Sequence, residues 1–471
     1  MLTGYSVDFL SVFRYNDEQI MNIIRKEVAR LKIDIKKMDY DKVMALPRCK
    51  RKTPKKPNVF WRSLIRLLTN FGMMGTKFKY ETEGLEGLKN EPCLILMNHS
   101  CFLDMQIAYR ILYPKHFCIV STTDAFVGMG GLMGWLMRTI GCVPTQKFVT
   151  DLGLVQDMTY AFKNLKTSVL MYPEAGYSLD GTATSLPRKM GVLLKKFDVP
   201  VIMIETFGAF SRNPLYNELQ VRRKVQVTAK ARCLYTREQV RQLSVRELSD
   251  GLDAAFGFDH FKWQEEQGLQ INEPFRADGL HRILYKCAHC GAEGTMEGKG
   301  IHLTCNACGR KYELTPLGKL NALEGETEFS HIPDWFRWQR QQVRQEIVNG
   351  TYRMETDVKI GMLVDYKALY MVGEGTLTHD LEGFTLTGCD GKLHYTQKPL
   401  NSYNLNADYY WYEIGDIISI GNQNGLYYCF PQGNHPVAKA RLATEEMYKL
   451  YKSRALPPKL QLDGAEVAGN S

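Results

Sequence analysis

The segment CLILMNHSCFLDMQIAYRIL, residues 93–112, decides how the chain is read. It opens as a short unbroken apolar run, breaks at Asn98-His99-Ser100, and resumes as FLDMQIAYRIL with helical spacing of its apolar residues. A buried strand running through a polar loop into a helix has this pattern. The same alternation continues on both sides. KFKYETEGL (77–85), HFCIVS (116–121), TSVLMYPE (167–174), VPVIMIETFGAF (199–210) and KVQVTAKARCLY (224–235) read as strands. LPRKMGVLLKKFD (186–198) and REQVRQLSVRELSDGLDAAF (237–256) read as helices. Together they predict an α/β domain over 58–275, a mixed sheet with helices on its faces and chemistry at the loops that follow strand ends.

The rest of the chain is different in kind. Its 471 residues exceed one typical domain. Residues 1–57 read as an appendage, helical from Asn16 to about Lys37, then RCKRKTPKKP at 48–57. That basic run is either a solvated linker or a patch facing anionic lipid. NVFWRSLIRLLTNFGMM at 58–74 puts aromatic and aliphatic side chains on one helical stripe beside arginines, which suits an interfacial helix or a helix packed on the domain. The longest uncharged apolar stretch, AFVGMGGLMGWLM at 125–137, is shorter than the roughly 20 residues of a bilayer span. It is core, a greasy surface, or both. A peripheral protein on the cytosolic membrane face, without a transmembrane helix, is therefore expected. The early charged runs do not read as a secretory signal, and twelve cysteines, only four of them in tight pairs, suit a reducing cytoplasm. The net charge of +9 is mild for this length.

Two loops carry candidate chemistry. In NHSCFLD (98–104), His99 and Asp104 are five positions apart, about 140° around a regular helix. They meet only if His99 lies in the loop and Asp104 in the first helical turn. Asp104 then accepts the imidazole Nδ1 proton and Nε2 becomes a base for an alcohol. In MYPEAGYSLDG (171–181), Glu174 at a strand mouth orients an acceptor hydroxyl or a backbone amide, or is a solvated turn acid.

In order along the chain, NHSCFLD, GCVPTQK (141–147), YPEAGYS (172–178) and VPVIMI (199–204) resemble the four motif blocks of the glycerophospholipid acyltransferases, and most of all the 1-acyl-glycerol-3-phosphate branch. The resemblance covers roughly residues 60–270. It implies that His99 is the general base, with Asp104 its orienting partner. Asn98, Glu174 and the turn at Gly176 belong to acceptor binding, the block from Gly141 to Lys147 holds glycerol phosphate, and the VPVI strand supports the acyl-donor side. Acyl-CoA or an acyl carrier protein would be the donor, with no catalytic cofactor. Two family arginines are missing: Lys147 ends the second block, and the third reads Ala175-Gly176-Tyr177-Ser178. Arginine grips phosphate bidentately and lysine does not. Either Lys147, Arg188 and Lys189 serve the phosphate together, or the acceptor differs.

CAHCG (287–291) and CNACG (305–309) form two Cys-x2-Cys pairs fourteen residues apart. Cys287, Cys290, Cys305 and Cys308 suit a closed tetrahedral zinc site in a ribbon over 283–313, with His289 and His302 as bystanders. Such ribbons also occur in nucleic-acid-associated proteins. This one is only modestly basic and lacks the aromatic and basic interleaving of a strand binder, so no nucleic acid is expected. A linker helix follows within 314–352, where Trp335, Phe336 and Trp338 either touch membrane or pack between domains. Residues 353–453 read as strands closed by a helix, resembling a pleckstrin-homology-like or GRAM-like module, with a loose tail over 454–471. The rival readings are an acyltransferase for another glycerolipid or hydroxyl acceptor, and a non-catalytic zinc protein that binds nucleic acid or a protein partner.

Overall fold

A computed structural model describes residues 33–453, apart from 74, 102, 129, 130, 150, 188, 219, 223, 224 and 434–436. The expected tail at 454–471 and most of the expected helix at 16–37 lie outside the described residues. The described end of that segment is not helical. Strand β1 (Ile35–Lys37) pairs in parallel with a strand more than 300 residues later, because an isolated three-residue segment needs a sheet edge to satisfy its amides.

The first sheet contains β2 (Phe78–Glu83), β3 (Leu94–Met97), β4 (Phe117–Thr122), β5 (Cys142–Thr145), β6 (Ser168–Met171), β7 (Val201–Phe207) and β8 (Val227–Tyr235). Their order is β2-β8-β7-β3-β6-β4-β5, parallel throughout except between β7 and β8. The sheet is mixed, and it is covered on both faces. Alternate residues of β3 point to opposite sides. Ile95 and Met97 join a core with Ile107 and Leu112 of the helix Asp104–Leu112, whereas Leu94 and Leu96 meet Phe162, Leu194 and Leu252. The final expected helix is two helices, Arg237–Gln242 and Val245–Ala255, because Thr236 and Ser244 each begin a capping box.

A four-stranded antiparallel sheet follows: β9 (Met296–Lys299), β10 (His302–Cys305), β11 (Lys311–Leu314) and β12 (Leu320–Ala322). The last sheet holds β13 (Met354–Leu363), β14 (Leu369–Asp380), β15 (Gly383–Gly388), β16 (Leu393–Gln397), β17 (Asn406–Trp411), β18 (Gly415–Asn422) and β19 (Gly425–Pro431), antiparallel apart from the added β1 on β14. The helix Val437–Ser453 closes this unit and packs on the linker helix Ile332–Val348. It is buried along most of its length although it carries Lys439, Arg441, Glu445 and Glu446. Buried charges persist only when paired, and these are. Lys439 meets Glu293 at 2.8 Å and Glu346 at 2.9 Å, and Arg340 meets Glu445 at 2.7 Å and Glu446 at 3.1 Å. Trp335 and Phe336 are buried in the same core, so they pack between units and do not face a membrane.

The amphipathic helix is Val59–Gly72. It uses one face against the body, where Ile65 is buried and Arg62 donates to the carbonyl of Pro114. The other face leaves Phe60, Leu67 and Leu68 between 51% and 66% exposed. The 125–137 stretch divides in the same way: Phe126 and Val127 are core, but Leu132 and Trp135 are more than half exposed on the helix Leu132–Thr139. Trp61 and Trp135 touch edge to face, their centroids 6.0 Å apart, so the two exposed segments adjoin. The basic run is not simply solvated. Pro54 and Pro57 are buried, and Arg51 pairs with Asp151 at 2.9 Å and Asp157 at 2.7 Å.

Candidate active site

Because β3, β4, β5 and β6 are parallel, the loops after β3, β5 and β6 all leave the same edge of the sheet. Strands β3 and β6 are neighbours, which sets Asn98-His99-Ser100 directly beside segment 172–178. His99 lies in the loop and Asp104 opens the following helix, as their chemistry requires. The ring Nδ1 is 2.8 Å from Asp104 Oδ2. That same oxygen accepts the backbone N–H of Ser100 at 2.7 Å and of Cys101 at 3.2 Å, while Oδ1 has no bond partner. Three donors on one oxygen fix the carboxylate, which in turn fixes the imidazole tautomer.

The β6 loop holds His99 from every other side. Glu174 Oε2 accepts the His99 N–H at 2.8 Å, and Ser178 N–H donates to the His99 carbonyl at 3.0 Å. The ring lies between two tyrosines, with centroids 4.1 Å from Tyr172 and 3.9 Å from Tyr177. The His99 side chain remains 18% exposed. Burial holds its pKa below the ordinary imidazole value, Asp104 opposes this, and Lys147 adds to it. The ring is therefore neutral at neutral pH, the form that accepts a proton. Burial also raises Asp104, against the bonds from His99, Ser100 and Cys101.

Glu174 takes, of the roles open to it, the one towards backbone amides. It is fully buried, and its second oxygen accepts Thr184 N–H at 2.9 Å and Thr184 hydroxyl at 3.1 Å. It is a brace between the two loops, and burial pushes its pKa up to about 7. Asn98 is another brace. Its amide oxygen accepts Thr206 N–H at 2.8 Å and its nitrogen donates to the Thr206 carbonyl at 3.0 Å, tying the ends of β3 and β7 together. Gly141 is buried, with φ of +91°, where a Cβ would lie 2.9 Å from Pro57. Its backbone conformation and its contact with Pro57 both favour glycine. Gly176 is buried with the Phe148 ring 3.8 Å from where its Cβ would be, so the loops after β5 and β6 meet there. Lys147 is half-buried and bears electrostatically on both His99 and Asp408. Lys189 is exposed at the start of the helix Met190–Phe197, with no bond to the His99 cluster, and Arg188 lies outside the described residues.

Several contacts escape a reading of the motifs. Tyr172 and Tyr177 stand inside the quoted block, but nothing in their spacing announces a ring sandwich. Others come from the C-terminal unit. Ser402 donates to the Phe148 carbonyl at 3.2 Å, Trp411 Nε1 to Asp124 at 3.3 Å, and Arg441 to the Tyr177 carbonyl at 3.3 Å. Asp408 on β17 is buried, and burial pushes it up to about 6, with Lys147 opposing.

The four expected metal ligands also come together, all four Sγ atoms within 4.8 Å of one another. Cys287 and Cys308 are 3.9 Å apart at sulfur, Cys290 and Cys305 3.8 Å. Four sulfurs about 2.3 Å from a tetrahedral zinc would be separated by about 3.8 Å. The donor set fits a metal ion. His289 instead pairs with Glu328 at 2.9 Å.

Residues 79–204 match the family model described as Acyltransferase. No curated protein matches the chain. Among solved structures the chain is similar to the crystal structure of the 1-acyl-sn-glycerophosphate (LPA) acyltransferase PlsC from Thermotoga maritima. That similarity has 16% identity over 41% of this chain and 80% of that chain, with a TM-score of 0.29.

Proposed function

We propose that the acyltransferase-family segment is an O-acyltransferase that moves a fatty acyl group from a thioester, acyl-CoA or acyl carrier protein, to the hydroxyl of 1-acyl-glycerol-3-phosphate or a related lipid acceptor. The observation that carries the reading is the neutral His99, with Nδ1 committed to Asp104 and its side chain not fully buried. In this reading Nε2 takes the acceptor hydroxyl proton as the oxygen attacks the thioester carbonyl. The tetrahedral intermediate collapses with loss of the thiolate, and the imidazolium returns its proton to sulfur. Asp104 stabilises the transient imidazolium, while Glu174 and Asn98 act on the position of the His99 loop. The four thiolates hold one structural zinc, which supplies folding energy to the ribbon and takes no part in the reaction. The exposed faces of Val59–Gly72 and Leu132–Thr139 set the enzyme on the cytosolic side of an anionic membrane, where both substrates reside.

One observation favours a second acceptor class. Asp408 places a buried carboxylate close enough to Lys147 to interact with it, which weakens the lysine's attraction for a phosphate dianion. An acceptor without a phosphomonoester would then be preferred. Both readings are tested by supplying labelled acyl-CoA and acyl carrier protein with a panel of lysophospholipids, glycerol phosphates and neutral glycerides in anionic vesicles. Transfer that vanishes in His99→Ala supports the enzyme, and the preferred acceptor chooses between the two. Absence of transfer to every acceptor refutes both.

A further inference from the structure

The family match ends at residue 204, yet the catalytic loop is held from far beyond it. Tyr177 is the joint. One face of its ring lies on His99, and the ring also packs against the hydrophobic core formed by the ribbon, the linker helix and the C-terminal sheet. Its carbonyl accepts from Arg441 of the closing helix at 3.3 Å. Arg441 is only 4% exposed, and its Nε meets Glu445 one helical turn on at 3.3 Å. Glu445 in turn meets Arg340 of the linker helix at 2.7 Å. Each member of the chain Arg340, Glu445, Arg441, Tyr177 fixes the next, and the last rests on the imidazole.

We propose that Arg441 is a positioning residue for acyl transfer, the means by which the C-terminal unit keeps the Tyr177 turn closed against His99. The inference rests on His99 being the base. A guanidinium has enough donors to serve a carboxylate and a carbonyl at once, and its planar fork fixes their relative position. A lysine at the same place keeps the buried positive charge beside Glu445 but cannot span both partners. The family segment is then not a self-sufficient catalyst. Its base is oriented by residues more than 260 positions later in the chain.

The experiment uses the full-length, metal-loaded chain and compares Arg441→Lys, Tyr177→Ala and the double variant. Arg344→Gln serves as a reference that breaks a closing-helix ion pair with Glu446 without touching Tyr177. Two readouts are taken. One is steady-state acyl transfer in anionic vesicles. The other is carbethoxylation by diethylpyrocarbonate, followed peptide by peptide, with the exposed His394 as internal standard. Arg441→Lys is expected to lower kcat about tenfold, to leave KM for the thioester within about twofold, and to speed His99 modification while His394 is unchanged. The double variant should be no worse than Tyr177→Ala alone, since Arg441 reaches His99 only through the Tyr177 ring. Independent, multiplicative losses, or an Arg441→Lys protein with normal kcat and normal His99 reactivity, would overturn the proposal. A loss shared by Arg344→Gln would do the same, because it would mark a general effect of the helix. If the unaltered chain transfers no acyl group, the enzymatic reading fails, while the modification arm still reports whether Arg441 governs His99.

Discussion

Replacing Asp104 by asparagine separates charge from geometry at this site. Asp104 Oδ2 takes all three donors and Oδ1 takes none. An asparagine can therefore place its oxygen where Oδ2 was and turn its NH2 towards the unpartnered Oδ1 position. The His99 Nδ1 proton keeps an acceptor, the tautomer is unchanged, and the loop retains its bonds to Ser100 and Cys101. Only the negative charge is lost. Its value is greatest when His99 becomes an imidazolium, with the two charge centres about 4 Å apart. At an effective dielectric constant of about 20 that attraction is about 4 kcal/mol, or about three decades in rate. Asp104→Asn should therefore fold with a melting temperature close to that of the parent and transfer acyl groups about a thousandfold more slowly. The assay is release of free thiol from acyl-CoA in the presence of acceptor and vesicles, beside thermal unfolding of the same preparations. A variant within tenfold of the parent kcat, in a background where His99→Ala is inactive, would refute the role assigned to the carboxylate.

Glu174 gives a pH signature. Its folded pKa, pushed up to about 7, exceeds its unfolded value of 4.5, so the folded state holds the proton more tightly. Stability should fall as pH rises between those two values, by on the order of 3 kcal/mol, and urea midpoints should show that fall flattened in Glu174→Gln. Metal analysis of protein purified without added metal should find about one zinc per chain, and Cys308→Ser should lose the metal and lower Tm; intact thiols without metal would remove the zinc assignment. Phe60→Asp and Leu68→Asp should each weaken binding to anionic vesicles at least about tenfold, given about 1.5 kcal/mol or more for each buried apolar side chain. Unchanged vesicle binding would assign those side chains another role.

The α/β part was legible because the signals in its sequence are local. An apolar run of strand length ending in His-Ser, with an acid five residues on, constrains both the secondary structure and the chemistry of one loop. The cysteine pairs were legible for the same reason, since metal geometry restricts their spacing tightly. Glu174 and Asn98 were identified as important; for Glu174 the backbone-amide contact was one of two roles left open, and the bonding of Asn98 to Thr206 was not foreseen. A sequence shows that a polar residue follows a strand; it does not show whether the side chain points to solvent or back into the neighbouring loop. The Tyr172 and Tyr177 sandwich was out of reach because ring stacking depends on how two neighbouring loops meet, and Asp408 and Arg441 because they depend on how the last unit packs on the first. The strand at Ile35–Lys37 was hidden in the same way. Its residues are charged and polar enough to continue a helix, and only a partner sheet edge makes them a strand.

That strand has a consequence for the order in which the molecule is made. Residues Ile35–Lys37 leave the ribosome well before their partners Leu369–Met371, which lie more than 330 positions later. Loop closure over such a span forms late and slowly compared with the shorter-range pairings of the first sheet. The first sheet can assemble during synthesis, whereas β1 must wait, its edge groups unpaired, until β14 has been made. Synthesis of β14 is then what lets this strand join its sheet.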